Sequence, residues 1–248
     1  MNFGGGNPLS RLPEVVKNLL IINVLMLLAM FVTYKANIDL TDYLGLHHWS
    51  SDLFKPHQLI TYMFMHGGFA HLFFNMFALY MFGQVLEQVW GAKKFLIYYL
   101  ITGVGAGVIQ LIVTELRIQA IVSDIDPSLY EMVIDQGLKA INQGKNFIDD
   151  TARELNNLIN ISTVGASGAV FGILLAFGML FPNTQLMLII PPIPMKAKYF
   201  VIIYGAIELY LGISNNPADN VAHFAHLGGM LFGYILIKYW KTNRNTFY

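Results

Sequence analysis

Four stretches of this sequence set polar or ionisable residues inside long apolar runs. HGGFAHLFFNMFALYMFG carries His66, His71 and Asn75; VGASGAVFG carries Gly165, Ala166, Ser167 and Gly168; the run that begins at Tyr199 carries Glu208; and NVAHFAHLGGMLFG carries His223 and His226. A polar group at membrane depth is costly, so each is a functional hypothesis. A hydroxyl, an imidazole and side-chain N–H donors at one level are the parts of an acyl-transfer site. The serine attacks, the histidine takes its proton and returns it to the leaving amine, and the donors hold the oxyanion.

The elements that must position these groups are membrane spans. Only 12% of the 248 residues are charged and 55% are hydrophobic, whereas an ordinary soluble domain is about a quarter charged; mean hydropathy is +0.52. The apolar residues form runs of roughly spanning length. Six spans are expected, at about Leu19 to Tyr34, Leu59 to Leu86, Phe95 to Val113, Ile161 to Phe181, Tyr199 to Ile213 and Val221 to Tyr239. The fold class is thus an all-α polytopic membrane protein, a single membrane domain over residues 1–248. The first run has no small-residue cleavage site after it and reads as an uncleaved anchor.

Helix geometry tests whether the polar residues can meet. At about 1.5 Å per residue, Ser167 lies roughly 21 Å from Phe181 at the inner end of its span, and His226 roughly 20 Å from Tyr239. Asn75 lies about 21 Å from Val89 by the same count. His71 and Asn75, four apart, share a helix face. So do His226, Gly229 and Gly233, and so do Gly168 and Gly172. Small residues at a spacing of four let membrane helices approach closely enough for short Ser and His side chains to touch.

With the N-terminus in the cytoplasm, the inside segments hold Arg11, Lys17, Lys93, Lys94, Lys196, Lys198, Lys238, Lys241 and Arg244, nine of the fifteen basic residues. The short outside segments hold Lys35 and Lys55, which satisfies the positive-inside rule. Residues 115–160 form the one insertion of note. Their eight acids, and apolar residues at near-helical spacing such as Leu129, Val133, Ile134 and Leu138, predict an acidic, helical external loop on the outer leaflet, without chemistry of its own.

Other chemistries are excluded or disfavoured. There is no cysteine, which removes disulfides, thiolate catalysis, cysteine zinc sites and S-acylation. The balance of 15 basic and 15 acidic residues gives no basis for nucleic-acid binding. No HExxH occurs, and a dinuclear metal site would need carboxylates beside the histidines, so no metal and no cofactor is expected. Glu208 is placed near water at the outer side of its span, with no chemistry assigned, and Glu87 at the inner end of the second span in a structural role. Asp219, seven residues before His226, is read as a loop residue.

Taken singly, each element is weak, because a serine among small residues in a membrane helix is most often a packing position. Their conjunction resembles the rhomboid family of intramembrane serine proteases. The likeness covers about residues 15–240: HxxxN at His71 to Asn75, GASG at Gly165 to Gly168, and AHLGGMLFG at Ala225 to Gly233 stand in the family's order on helices two, four and six. His66, the Gly83, Glu87 and Gly91 series, and Thr61 with Tyr62 also look like family positions.

The resemblance implies a six-transmembrane-helix rhomboid-like bundle. In it Ser167 is the nucleophile, His226 the general base, and His71 with Asn75 the side-chain part of an oxyanion hole completed by the Ser167 amide. Phe171 packs on the base histidine in a dyad without the acidic third member of a triad. Gly165, Gly168, Gly229 and Gly233 support the site. The substrates it implies are transmembrane segments of other proteins, reached within the bilayer from a cavity under a cap around Ser214 to Asn220. The expected location is the plasma (inner) membrane of a bacterium, with both termini cytoplasmic. The sequence departs from the family at His57 and Gln58, where a Trp-Arg pair usually precedes the Thr-Tyr, and in the length of the third loop. His223 is read as a packed or loop-bonded histidine.

Two rivals remain. A non-catalytic relative that binds membrane helices usually lacks the serine or the histidine, and this chain keeps both. A transporter would be expected to show an inverted repeat and charged pairs within its spans, and neither is detectable.

Overall fold

A computed structural model describes residues 12–187, 192–214 and 221–242. The chain is an all-α membrane bundle. Its helices are α1 (Glu14–Tyr34), α2 (Leu40–Leu44), α3 (Gln58–Thr61), α4 (Phe69–Ala78), α5 (Gln84–Trp90), α6 (Ala92–Val122), α7 (Pro127–Asn142), α8 (Asp150–Asn160), α9 (Ser167–Leu180), α10 (Ala197–Ser214) and α11 (His223–Thr242). A π-helical turn, Leu79–Gly83, joins α4 to α5, and β1 (Gln185–Met187) pairs antiparallel with β2 (Pro194–Lys196), Leu186 opposite Met195. Among the described residues, four helices are long and apolar enough to cross a membrane: Glu14–Tyr34, Phe69–Trp90, Ala92–Val122 and Ala197–Ser214.

Several spans differ from their expected bounds. The second is broken: after α3 and a 3-10 turn at Tyr62–Phe64 the chain runs irregularly through Met65, His66 and Gly67 before α4 begins at Phe69. The fourth begins as a helix only at Ser167. Residues ahead of it form an isolated bridge, Leu46 with Thr163, and Gly165 takes φ 129°, a conformation open to glycine and strained for other residues. The third span is longer than expected, running from Ala92 to Val122.

The bundle centres on α11, which lies against both α6 and α9. Its core is aromatic and apolar, with Phe95, Tyr98, Tyr99, Tyr62, Ile173 and Ile237 fully buried. Two of the three fully buried tyrosines pair with backbone. Tyr98 donates to the Gly172 carbonyl at 2.8 Å and Tyr62 to that of Gly103 at 2.7 Å, which locks α6 to α9 and the 3-10 turn to α6. At the far end Trp90 and Trp240 meet edge to face, and Lys94 lies 4.5 Å over the Trp240 ring, the aromatic-cationic mixture favoured at a membrane interface. Glu87 takes the place expected of it. Its carboxylate accepts the Val15 and Val16 amides at 2.9 and 2.8 Å, two of the donors that the start of α1 leaves without partners.

The 115–160 insertion has a core of its own. Ile118, Val133, Ala152, Leu155 and Ile159 are buried together, so α7 and α8 pack on the extension of α6. A chain of amides, Asn146 to Asn156 to Asn160, ends on the Ser51 hydroxyl at 3.1 Å and joins the insertion to the loop between α2 and α3.

Candidate active site

Ser167 is the first residue of α9. Its backbone N–H is therefore one of those a helix start leaves without an intrahelical acceptor, at the positive end of the helix dipole. Its hydroxyl lies 2.8 Å from His226 Nε2, and the two sit at the matching ends of α9 and α11, as the depth count expected. The imidazole is held by a stack of rings. Phe171, one turn along α9, stacks on it at 4.1 Å between centroids and 6° between planes, and Tyr204 of α10 stacks on Phe171 in turn.

Close helix approach makes this contact possible. A Cβ built on Gly229 would lie 1.8 Å from the Gly168 carbonyl oxygen, and one on Gly233 would meet the Tyr98 hydroxyl at 2.3 Å. Gly168 and Gly172 face the other way as well, toward Ala106 and Thr102 of α6, so the small residues of α9 admit two neighbours rather than one.

His71 and Asn75 of α4 line the same cavity as Ser167 and His226, which has a volume of about 1140 Å³. The Gly67 amide donates to His71 Nδ1 at 3.3 Å, leaving the proton on Nε2. That edge of the ring lies so near Gly165 that a Cβ there would be 2.8 Å from it, which explains why the residue two before Ser167 is glycine. Asn75 uses one amide hydrogen on the His71 carbonyl, at 2.9 Å, and its second remains for the cavity. His66 is buried with its ring edge-on to His71, 5.1 Å between centroids. The same cavity is lined by Asp150 and Arg153 on α8, whose side chains are exposed.

Glu208 is where the sequence expectation fails. It is 6% exposed, faces the bundle interior, and one carboxylate oxygen lies 2.8 Å from His226 Nδ1 and 2.6 Å from His223 Nδ1. Hence the site has a carboxylate behind the imidazole, where a dyad alone was expected, and the spans do contain acid–histidine pairs. His223 is packed, as expected, but on Glu208. The signal was present: an acid inside an apolar run, in a chain that also sets two histidines inside the run of its last span.

Glu208, His223 and His226 also offer three ligand atoms within 4.8 Å of one another. Their nitrogen–oxygen separations are hydrogen-bond lengths, below the roughly 3.3 Å between neighbouring ligands that a tetrahedral ion with Zn–N near 2.05 Å would impose. In this arrangement the three groups bond one another.

His57 and Gln58 have a role that the departure from the family left open. Gln58 is fully buried; it accepts the His47 amide at 3.2 Å and donates to the Leu53 carbonyl at 2.8 Å, while His57 bonds the Tyr43 carbonyl at 2.9 Å. Together they tie down the segment between α2 and α3. Asp219 and nearly all of the expected cap, Ser214 to Asn220, lie outside the described residues.

Taken together, these features define an integral membrane protein with a serine–histidine contact at the start of two helices. The family model of the Rhomboid domain matches residues 54–241, and the chain belongs to the rhomboid family. It is 27% identical over 176 residues to Rhomboid protein 1, mitochondrial, of Saccharomyces cerevisiae, covering 71% of this chain and 39% of that one. It is 24% identical over 186 residues to Rhomboid-like protein 11, chloroplastic, of Arabidopsis thaliana, covering 73% and 51%. A candidate rhomboid protease of Bacillus subtilis is 25% identical over 184 residues, covering 73% and 67%. The chain thus spans about half the length of most of the curated relatives it matches.

Proposed function

We propose that this protein is an intramembrane serine endopeptidase that hydrolyses peptide bonds in or near transmembrane segments of other membrane proteins. The observation that carries the reading is the 2.8 Å contact from Ser167 Oγ to His226 Nε2, inside a cavity that also holds the His71 and Asn75 donors. Membership of the rhomboid family supports it.

The chemistry balances on these residues. Ser167 Oγ attacks the substrate carbonyl carbon as its proton passes to His226 Nε2, and the carbonyl electrons move onto the oxygen. His71 Nε2–H, the second Asn75 N–H and the Ser167 amide hold that oxyanion. As the C–N bond breaks, His226 delivers its proton to the leaving amine. A water then attacks the acyl-enzyme, giving a proton to His226, and Ser167 leaves with it. A substrate helix must unwind before its amide reaches Ser167, so helix-breaking residues near the cleaved bond lower the cost.

The proposal extends to one membrane domain with six spans, α9 and α11 being the two beyond those long and apolar enough by themselves. Charge asymmetry supports a cytoplasmic location for both termini, and the plasma membrane of a bacterium is the proposed location. The test is cleavage of a generic transmembrane substrate by purified protein in liposomes. Ser167→Ala should abolish it in a folded protein; equal cleavage by that variant would overturn the reading.

A further inference from the structure

Glu208 deepens this reading and rests on it. Buried acids in an apolar bundle are rare and are held by partners, and here both partners are imidazoles: His226, which touches Ser167, and His223, one turn before it. A carboxylate only accepts. Both Nδ1 atoms therefore carry their protons toward it, which leaves His226 Nε2 as the acceptor for the Ser167 hydroxyl. This is the tautomer a general base needs. The second donor matters as well, since the His223 contact fixes the same oxygen that His226 uses, and α10 is thereby joined to α11 at the height of the serine.

We infer that Glu208, steadied by His223, is a positioning residue for the base, fixing its tautomer and stabilising the imidazolium that forms when Ser167 gives up its proton. The unit is a Ser167–His226–Glu208 relay with a lateral histidine. Glu208 touches no reacting atom. Phe171 holds the same ring by stacking, so loss of the carboxylate should cost less than the roughly 10⁴-fold seen when the acid of a soluble triad is neutralised.

The experiment compares wild type, Ser167→Ala, Glu208→Gln and Glu208→Ala in liposomes by kcat, KM, the rate of fluorophosphonate labelling and melting temperature, with ¹⁵N-histidine spectra to read the tautomer. Glu208→Gln should keep a near-wild-type melting temperature and KM, with kcat and labelling rate each down roughly tenfold to a hundredfold. Glu208→Ala should lose the Nδ1-protonated state of His226. Labelling needs no substrate, so it reads on Glu208 even if cleavage by Ser167→Ala were to overturn the protease reading. The inference is overturned if folded Glu208→Gln and Glu208→Ala both label at the wild-type rate. It is also overturned if kcat per labelled serine is unchanged and only the folded fraction falls, or if a chelator abolishes wild-type labelling and zinc restores it.

Discussion

Gly229 of α11 lies against the backbone of Gly168 on α9, so close that a Cβ on the first would fall 1.8 Å from the carbonyl oxygen of the second. This contact is one turn from His226 and adjacent to Ser167, which makes the catalytic distance depend on an absent side chain. Gly229→Val must push the helices apart, and a displacement of about 1 Å can cost around a hundredfold in rate. Cleavage should fall at least that far, and overpacking should lower stability by about 1–3 kcal/mol. Ile235→Val, on an exposed apolar face of the same helix, should leave cleavage rate and melting temperature near wild type.

Removing a single oxyanion donor typically costs about 10²- to 10³-fold. His71→Ala and Asn75→Ala should therefore each leave a weak, measurable kcat/KM, above that of Ser167→Ala. Wild-type rates in both would remove α4 from the site.

Gln58→Ala should destabilise without touching the chemistry directly. It orphans the His47 amide and the Leu53 carbonyl around a fully buried position, a loss of about 1–3 kcal/mol. A lower melting temperature and faster proteolysis within residues 40–57 are the expected readings; unchanged proteolysis would mean that the loop is held elsewhere.

The same loop should respond to pH. Burial pulls His47 and His48 below the usual histidine range, and for His48 the nearby Glu115 carboxylate, 3.2 Å away, opposes this without overcoming it. Folded loop histidines thus stay neutral where unfolded ones, near 6.5, begin to take up protons. Their contribution is present above about 6.5 and is lost as pH falls below it. The melting temperature should drop between pH 7.5 and 5.5, and His48→Gln should shrink that drop.

The sequence carried the motif helices and their heights well, because a polar residue in an apolar run has few explanations and 1.5 Å per residue is a firm ruler. Ser167, His226, His71 and Asn75 come together where the counts put them. Glu208 was expected near water at the outer side of its span, without chemistry, and is instead buried on two histidines. Its helix is apolar nearly all round, so no periodicity marked which side faced inward. The break before α4 and the extended approach to Ser167 were hidden likewise: Met65 and His66, and Ile161 to Val164 with their single Ser and Thr, are short stretches continuous with the apolar runs that follow them, and only Gly67, Gly68 and Gly165 hinted at the turns. The insertion's own core escaped notice because its apolar residues are dispersed among eight acids.

The central claim is that Ser167 is made nucleophilic by His226. Its most direct test is to treat the purified protein in liposomes with a fluorophosphonate probe and map the adduct by peptide mass spectrometry in wild type and in His226→Ala. The account predicts a single adduct on Ser167 in wild type, and a labelling rate lower by roughly a thousandfold or more in the folded variant. An adduct on another serine, or equal labelling of Ser167 without His226, would contradict it.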